Sequence, residues 1–182
     1  CDRRQRQMCI RDSDEGEINP LFCIAAGNDG TLDSPFNRVQ SPADMVNGLA
    51  VGAYTLSPLN DKYRAPYSCV GPGREGAKIK PDILEFGGYT DRPFITTKSG
   101  NQVMGTAGTS LAAPVVAGKI GRLMAASDQI VPHLGRALLI HSAESEGLEG
   151  TVENGFGFCL DGVEDILNCS DNKVTILSLI HI

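Results

Sequence analysis

Short, nearly continuous apolar runs alternate with polar stretches through the first half of the chain. LFCIAAG (residues 21–27) and GLAVGAYT (48–55) are two such runs. Runs of this kind are typical of strands that are covered on both faces, as in a parallel sheet. DILEFGG (82–88) and PFITT (93–97) are candidates for further short strands. Residues 56–80 contain many turn formers, and we expect a loop there.

Helical patterning is strongest from Thr109 to about Ala126. Thr109 can cap this helix, and the residues after it are apolar or small on nearly every face until Lys119, which is typical of a buried helix. Gly118 and Gly121 each weaken a helix by roughly 1 kcal/mol relative to alanine. We therefore expect a neighbouring backbone to approach closely at these two glycines.

The last third of the chain predicts a second helix over residues 132–144, with a proline in its first turn. NGFGF (154–158) then predicts a turn that leads into a last short element, CLDGVEDIL (159–167).

Composition adds mainly exclusions. A chain of 182 residues is one domain or part of one, and 41% hydrophobic with 21% charged residues is ordinary for a globular protein. With 22 acidic against 16 basic side chains, the net charge is −6, which argues against a nucleic-acid partner. No apolar run approaches the roughly 18 residues of a membrane span, so we expect none.

The six cysteines form no CxxC pair, which makes a zinc or thioredoxin-like site a weak hypothesis. Cys23 lies in an apolar run and is predicted to be a small core residue. Cys159 and Cys169 could pair with each other, but their spacing leaves this open. The redox compartment is therefore also open.

Ser110 lies in GTAGTSLAAPVVAG (105–118), at the start of the strongest helix. The first N–H groups of a helix have no intrahelical partner and carry partial positive charge, so the Ser110 N–H can face a developing oxyanion. Gly105 and Gly108 let the backbone turn into the helix without a Cβ clash. The alternative is an ordinary N-cap or first-turn serine.

GTSLAAPVVAG (108–118) closely resembles the nucleophile motif of the subtilisin-like serine proteases (subtilases, peptidase S8), G-T-S-M-A-[AS]-P-x-V-A-G. Leu111 and Val115 are the departures from its commonest form, and both are apolar. The resemblance implies that Ser110 attacks a peptide carbonyl and forms an acyl-enzyme.

A second motif, IAAGNDG (24–30), resembles the strand and turn that present the oxyanion-hole asparagine in that family. The resemblance implies that Asn28 donates from its carboxamide, opposite the Ser110 N–H. Ala25, Ala26 and Gly27 would then border the pocket for the substrate residue before the scissile bond. Without the resemblance, Asn-Asp-Gly is simply a good turn.

The resemblance extends over roughly residues 18–168. It includes SPADMVNGLAVGA (41–53), where Pro42 is expected to be cis, and residues 67–88, which depart from the family pattern at Cys69, Glu85 and Phe86. It implies an α/β, subtilisin-like three-layer fold with a mostly parallel sheet, present as a C-terminal fragment.

Residues 14–170 would form the partial catalytic domain. Residues 1–13 are basic and aperiodic, and 171–182 form a tail that ends in LSLIHI. Both ends resemble translated adapter scars and are excluded from fold reasoning; a disordered N-terminus is the alternative.

The family's triad runs Asp, His, Ser along the chain, yet the sequence contains no Asp-[ST]-Gly and no His-Gly-Thr string. We expect the triad aspartate and histidine to lie outside this chain, and the fragment to be inactive. His133 and His141 are expected on the closing helix, away from the active centre, and His181 lies in the tail. The acidic side chains that precede the domain receive no catalytic role: Asp12, Asp14, Glu15 and Glu17.

The resemblance further implies a polypeptide substrate and no required cofactor; it allows structural calcium, which no residue here can be assigned to hold. Location stays open between secreted, as for most relatives, and intracellular. Two other functions are alternatives. One is a pseudo-protease or binding module with the same fold, and the other is an α/β-hydrolase esterase, whose Gly-x-Ser-x-Gly elbow has Ala112 at its fifth position here.

Overall fold

The structure is a computed structural model that describes residues 20–74, 79–145 and 150–168. Within these ranges the chain forms a four-stranded sheet, a two-stranded sheet and three helices. The predictions made for residues 1–13 and 171–182, for Cys169 and for the acidic lead-in lie outside the described residues.

The larger sheet is built around its longest strand, β2 (Leu49–Leu56), which is buried at every position except the last. β1 (Cys23–Ala25) and β4 (Ile83–Phe86) pair with β2 in parallel on its two sides, and β3 (Lys62–Arg64) pairs antiparallel with its end. The predicted α/β fold with a largely parallel sheet is therefore confirmed. Burial on both faces holds for β2, whereas β1 is only half-buried.

β3 was expected to be loop, and that prediction is wrong. β3 has the sequence Lys-Tyr-Arg and lacks the apolar run that identifies the other strands of this sheet. It forms because the chain reverses tightly after β2. The reversal is closed by a Ser57 N–H to Asp61 carbonyl bond of 2.9 Å and by Asn60 in the left-handed region, at φ 67°.

The two-stranded sheet is an antiparallel hairpin of β5 (Phe94–Lys98) and β6 (Gln102–Thr106). Its turn contains Gly100 and Asn101, both with positive φ, as tight hairpins require. β5 was predicted and β6 was not, because β6 is almost wholly exposed and has no clear alternation. The hairpin ends three residues before the strongest helix begins.

That helix, α1, spans Thr109–Ala126, as predicted; α2 spans Pro132–Ser142 and α3 Val163–Leu167. The prediction that α1 is buried all round is wrong for the described structure. Its buried residues form one face that packs against the sheet: Thr109, Ala112, Ala113, Val116, Lys119, Ile120 and Leu123. This face cannot be recognised in the sequence, because small or apolar residues also lie on the exposed side of the helix.

Gly118 and Gly121 lie on the exposed side of α1, and no described atom comes within 4 Å of the position that a Cβ would occupy on either. The close backbone approach expected there is not made by any described residue.

One ion pair inside the core ties α1 to β4. The Lys119 ammonium lies 2.6 Å from a Glu85 carboxylate oxygen and 2.7 Å from the Leu160 carbonyl oxygen, and both side chains are almost fully buried. Glu85 is one of the departures from the family pattern, and Lys119 neutralises it. Nearby, Cys159 is fully buried, and burial raises the pKa of its thiol to about 12.

One smaller prediction is confirmed, and the structure shows the state of three cysteines. The Ser41–Pro42 peptide bond is cis, as expected. Cys23, Cys69 and Cys159 are free thiols among the described residues.

Candidate active site

The turn after β1 and the start of α1 meet through a buried threonine. The Thr109 backbone N–H and hydroxyl both donate to the Asn28 Oδ1 atom, each over 2.9 Å. The Thr109 hydroxyl oxygen also accepts from the Gly27 N–H at 3.3 Å. Because Oδ1 is engaged by two donors, the Asn28 carboxamide has a fixed orientation, and its Nδ2 group is the end left to donate to a ligand.

The Asn28 carboxamide and the Ser110 nitrogen lie near one point beside Gly108. The position that a Cβ would occupy on Gly108 lies 3.6 Å from Asn28 Nδ2, 3.8 Å from Asn28 Oδ1 and 3.8 Å from the Ser110 nitrogen. Both Asn28 and Ser110 are exposed. The structure therefore brings the two residues that the motifs singled out close to each other, beside Gly108.

Thr109 does not cap α1, as the sequence suggested it could. The N-cap residue is Gly108, which has no side chain to accept a hydrogen bond. The Asn28 carboxamide takes over this task, because it accepts from the first N–H of the helix. Sequence reasoning missed this role of Thr109, since nothing in the sequence links two residues that lie 81 positions apart.

The two glycines before the helix were both expected to avoid a Cβ clash, and the structure bears this out for Gly105 alone. Gly108 has φ 160° and ψ 150°, an extended conformation open to any residue. Gly105 also lies outside the positive-φ region; a Cβ there would lie 2.9 Å from two carbons of the Pro93 ring. Gly105 therefore avoids a clash with Pro93, whereas a Cβ on Gly108 would make only ordinary contacts.

The predicted pocket residues adjoin Asn28. Ala26 is almost fully buried, whereas Ala25 and Gly27 are partly exposed. Gly27 has φ +113°, and a Cβ there would lie 2.9 Å from the Cys69 sulfur, so its backbone shape and its close packing both require glycine. Their role as a substrate pocket stays a prediction.

The described part of the chain offers no obvious metal site, because no group of three His, Cys, Asp or Glu side chains there could hold an ion. His133 and His141 both lie exposed on α2. None of the described helices is both long and apolar enough to cross a bilayer.

The largely parallel sheet, with a helix-borne serine beside an asparagine-tipped strand, defines the chain as an α/β protein. The sequence model of the Subtilase family matches residues 5–159. The chain belongs to the Subtilase family.

Two characterised relatives have similar sequences. "Serine protease AprX" of Bacillus subtilis (strain 168) is 29% identical over 152 residues, which make up 76% of this chain and 34% of AprX. "Subtilisin-like protease SBT6.1" of Arabidopsis thaliana is 30% identical over 131 residues, 69% of this chain and 11% of that protein. The chain thus spans only a minor part of the length of both relatives.

Solved structures share the fold. The prenylagaramide maturation protease PagA superposes with a TM-score of 0.64 at 22% identity, over 90% of this chain and 53% of PagA. The self-cleaved protease domain of PatA gives a TM-score of 0.64 at 23% identity, over 90% of this chain and 52% of the chain in that structure.

Proposed function

We propose that this chain supplies the nucleophile and the oxyanion hole of a serine endopeptidase. The observation that carries the proposal is that Asn28 Nδ2 and the Ser110 nitrogen both lie within 4 Å of one point beside Gly108. Two fixed donors that face one space can stabilise the oxygen of a tetrahedral intermediate. The protease names of the relatives AprX and SBT6.1 support the same reaction.

In the proposed reaction, the Ser110 Oγ atom attacks the carbonyl carbon of a peptide bond while a general base takes its proton. The carbonyl oxygen becomes an oxyanion and accepts hydrogen bonds from Asn28 Nδ2 and the Ser110 N–H. Collapse of this intermediate expels the amine, which takes a proton from the same base, and leaves an acyl group on Ser110. Water then releases the acyl group by the reverse sequence of steps.

The Thr109 contacts explain how the oxyanion hole would be ready before substrate arrives. Two hydrogen bonds of 2.9 Å hold the Asn28 carboxamide oxygen from behind. No side chain needs to reorient as negative charge develops, which is the condition under which such donors are most effective.

We assign the general base and its aspartate to sequence outside these 182 residues, because neither family motif for them occurs in the chain. The isolated chain is therefore proposed to have no peptidase turnover. A nucleophile without its base retains only a small residual rate.

The test is covalent labelling of the intact protein that carries this segment, with a fluorophosphonate probe read out by peptide mass spectrometry. We expect the probe on Ser110, and no labelling in Ser110→Ala. Ser99→Ala, which changes an exposed serine in the β5–β6 turn, is the control and should label like the wild type. A folded intact protein that does not react would favour the binding-module alternative, and undiminished labelling of Ser110→Ala would refute the proposal.

A further inference from the structure

The segment Tyr67–Cys69 underlies the turn that carries Asn28. The Tyr67 carbonyl oxygen accepts from the Gly30 N–H at 2.8 Å, and the Cys69 N–H donates to the Gly27 carbonyl oxygen at 3.1 Å. Asn28 is thus held between two backbone hydrogen bonds to the same three-residue segment. The packing leaves no spare room, because a Cβ on Gly30 would lie 2.3 Å from the Ser68 carbonyl oxygen.

The side chain of Tyr67 reaches the other half of the site. Its hydroxyl donates to the Gly88 carbonyl oxygen over 2.8 Å, and the neighbouring Gly87 carbonyl oxygen accepts from the Gly108 N–H at 3.0 Å. A Cβ on Gly87 would lie 2.8 Å from this hydroxyl oxygen and 3.0 Å from the Gly108 carbonyl oxygen. The hydroxyl therefore lies where the end of β4 meets the turn before Ser110.

The segment is itself anchored to the centre of the sheet. Ser68 is fully buried, and its hydroxyl oxygen accepts from the Ala53 N–H of β2 at 3.0 Å. The Arg64 guanidinium donates to the Ser68 carbonyl oxygen at 2.6 Å. Burial raises the pKa of Tyr67 to about 12, so its hydroxyl stays protonated and remains a donor at any ordinary assay pH.

We propose that Tyr67 is a positioning residue that fixes the separation of the two oxyanion donors. Its carbonyl holds the Asn28 turn. Its hydroxyl holds the Gly87–Gly88 segment after β4, to which the Gly108 N–H is hydrogen-bonded. The inference rests on the proposed function of Ser110 and Asn28. Both donors must lie about 2.7–3.1 Å from one oxygen atom in the transition state, and misplacement by about 1 Å can cost 10²-fold in rate.

Tyr67→Phe in the intact protein removes the hydroxyl and keeps the ring, which packs against the core. We expect kcat for a chromogenic peptide to fall about tenfold, with KM within about twofold, because the interaction lost is one made in the transition state. Tyr63→Phe is the matched control: this tyrosine lies on β3 with its side chain at the surface, 40% exposed, and should leave both constants unchanged.

Rates are expressed per active site, counted by the end point of fluorophosphonate titration. A tyrosine that only stabilises the fold would lower the titratable fraction and leave kcat per titrated site at the wild-type value, and that result would overturn the proposal. If Tyr67→Phe reduces the yield of folded protein, kcat per titrated site can still be compared with the wild-type value. Failure of the underlying function is separately visible, because Ser110→Ala would then keep its turnover.

Discussion

Adding a single methyl group at Gly108 should abolish most of the activity while leaving the fold intact. The backbone there is extended, with φ 160° and ψ 150°, so alanine fits without strain. The nearest atoms to its Cβ would lie at 3.6 and 3.8 Å, which are ordinary van der Waals contacts. Because Gly108 is the N-cap residue of α1, its replacement by alanine should lower the free energy of unfolding by at most about 1 kcal/mol.

The expected loss of activity depends on which atoms lie nearest to the added methyl group. They are Asn28 Nδ2 and Oδ1 and the Ser110 nitrogen, so the methyl group would lie in the space that we propose for the oxyanion. An oxyanion needs to come within about 3.1 Å of each donor, and a methyl carbon beside both would obstruct it. We expect kcat/KM to fall by about 10²–10³, the loss typical of removing one oxyanion donor.

The assay compares Gly108→Ala with Ser99→Thr, which also adds one methyl group, but in the exposed β5–β6 turn. Steady-state peptide hydrolysis and thermal unfolding are measured on both variants of the intact protein. Full activity in Gly108→Ala would refute the reasoning, because it would mean that no substrate oxygen enters the space beside Gly108. A loss of thermal stability large enough to explain the lost activity by unfolding would also refute the reasoning.

Three further predictions concern the core and the support of the site. Lys119→Met leaves the buried Glu85 carboxylate without its ion-pair partner and should lower the free energy of unfolding, measured with urea, by about 3–5 kcal/mol. The control Lys62→Met, whose ion-pair partner is exposed, should lower it by less than about 1 kcal/mol. Equal losses in the two variants would contradict the burial argument. Thr109→Val removes one of the two hydrogen bonds that orient the Asn28 carboxamide. It should lower kcat by up to about tenfold and leave KM unchanged. An unchanged kcat would mean that the hydrogen bond from the Thr109 backbone N–H orients Asn28 without help. The pKa of the Cys159 thiol is raised from 9.0 to about 12. The contribution of Cys159 to the free energy of unfolding should therefore be unchanged below about pH 9 and decline as pH rises towards 12, because the unfolded thiol ionises first; a Cys159→Ala variant should lack this part of the decline. Rapid iodoacetamide modification of native Cys159 at pH 8, followed by mass spectrometry, would contradict its burial.

The sequence predicts those elements that are rich in apolar or small residues. β2 is buried along nearly its whole length, so its apolar run identifies it directly. The limits of α1 follow from its small apolar residues, although its cap is Gly108 and not Thr109. β3 and β6 escape prediction because pairing with a neighbouring strand, not their own composition, holds them in place.

The same distinction applies to the site. Motifs identify Ser110 and Asn28 as candidates, because each motif is local. Contacts between distant segments leave no local trace: Thr109 reaches Asn28 across 81 positions, and Lys119 reaches Glu85 across 34. A lysine and a glutamate in otherwise apolar segments each look like surface residues until the fold brings them together.

The most direct test of the central claim is a crystal structure of the intact protein after reaction with a phosphonate inhibitor. We predict a covalent bond from phosphorus to the Ser110 Oγ atom, with the phosphonyl oxygen about 2.7–3.1 Å from both Asn28 Nδ2 and the Ser110 nitrogen. Phosphorus bound to another residue, or a phosphonyl oxygen turned away from Asn28 into solvent, would contradict the account.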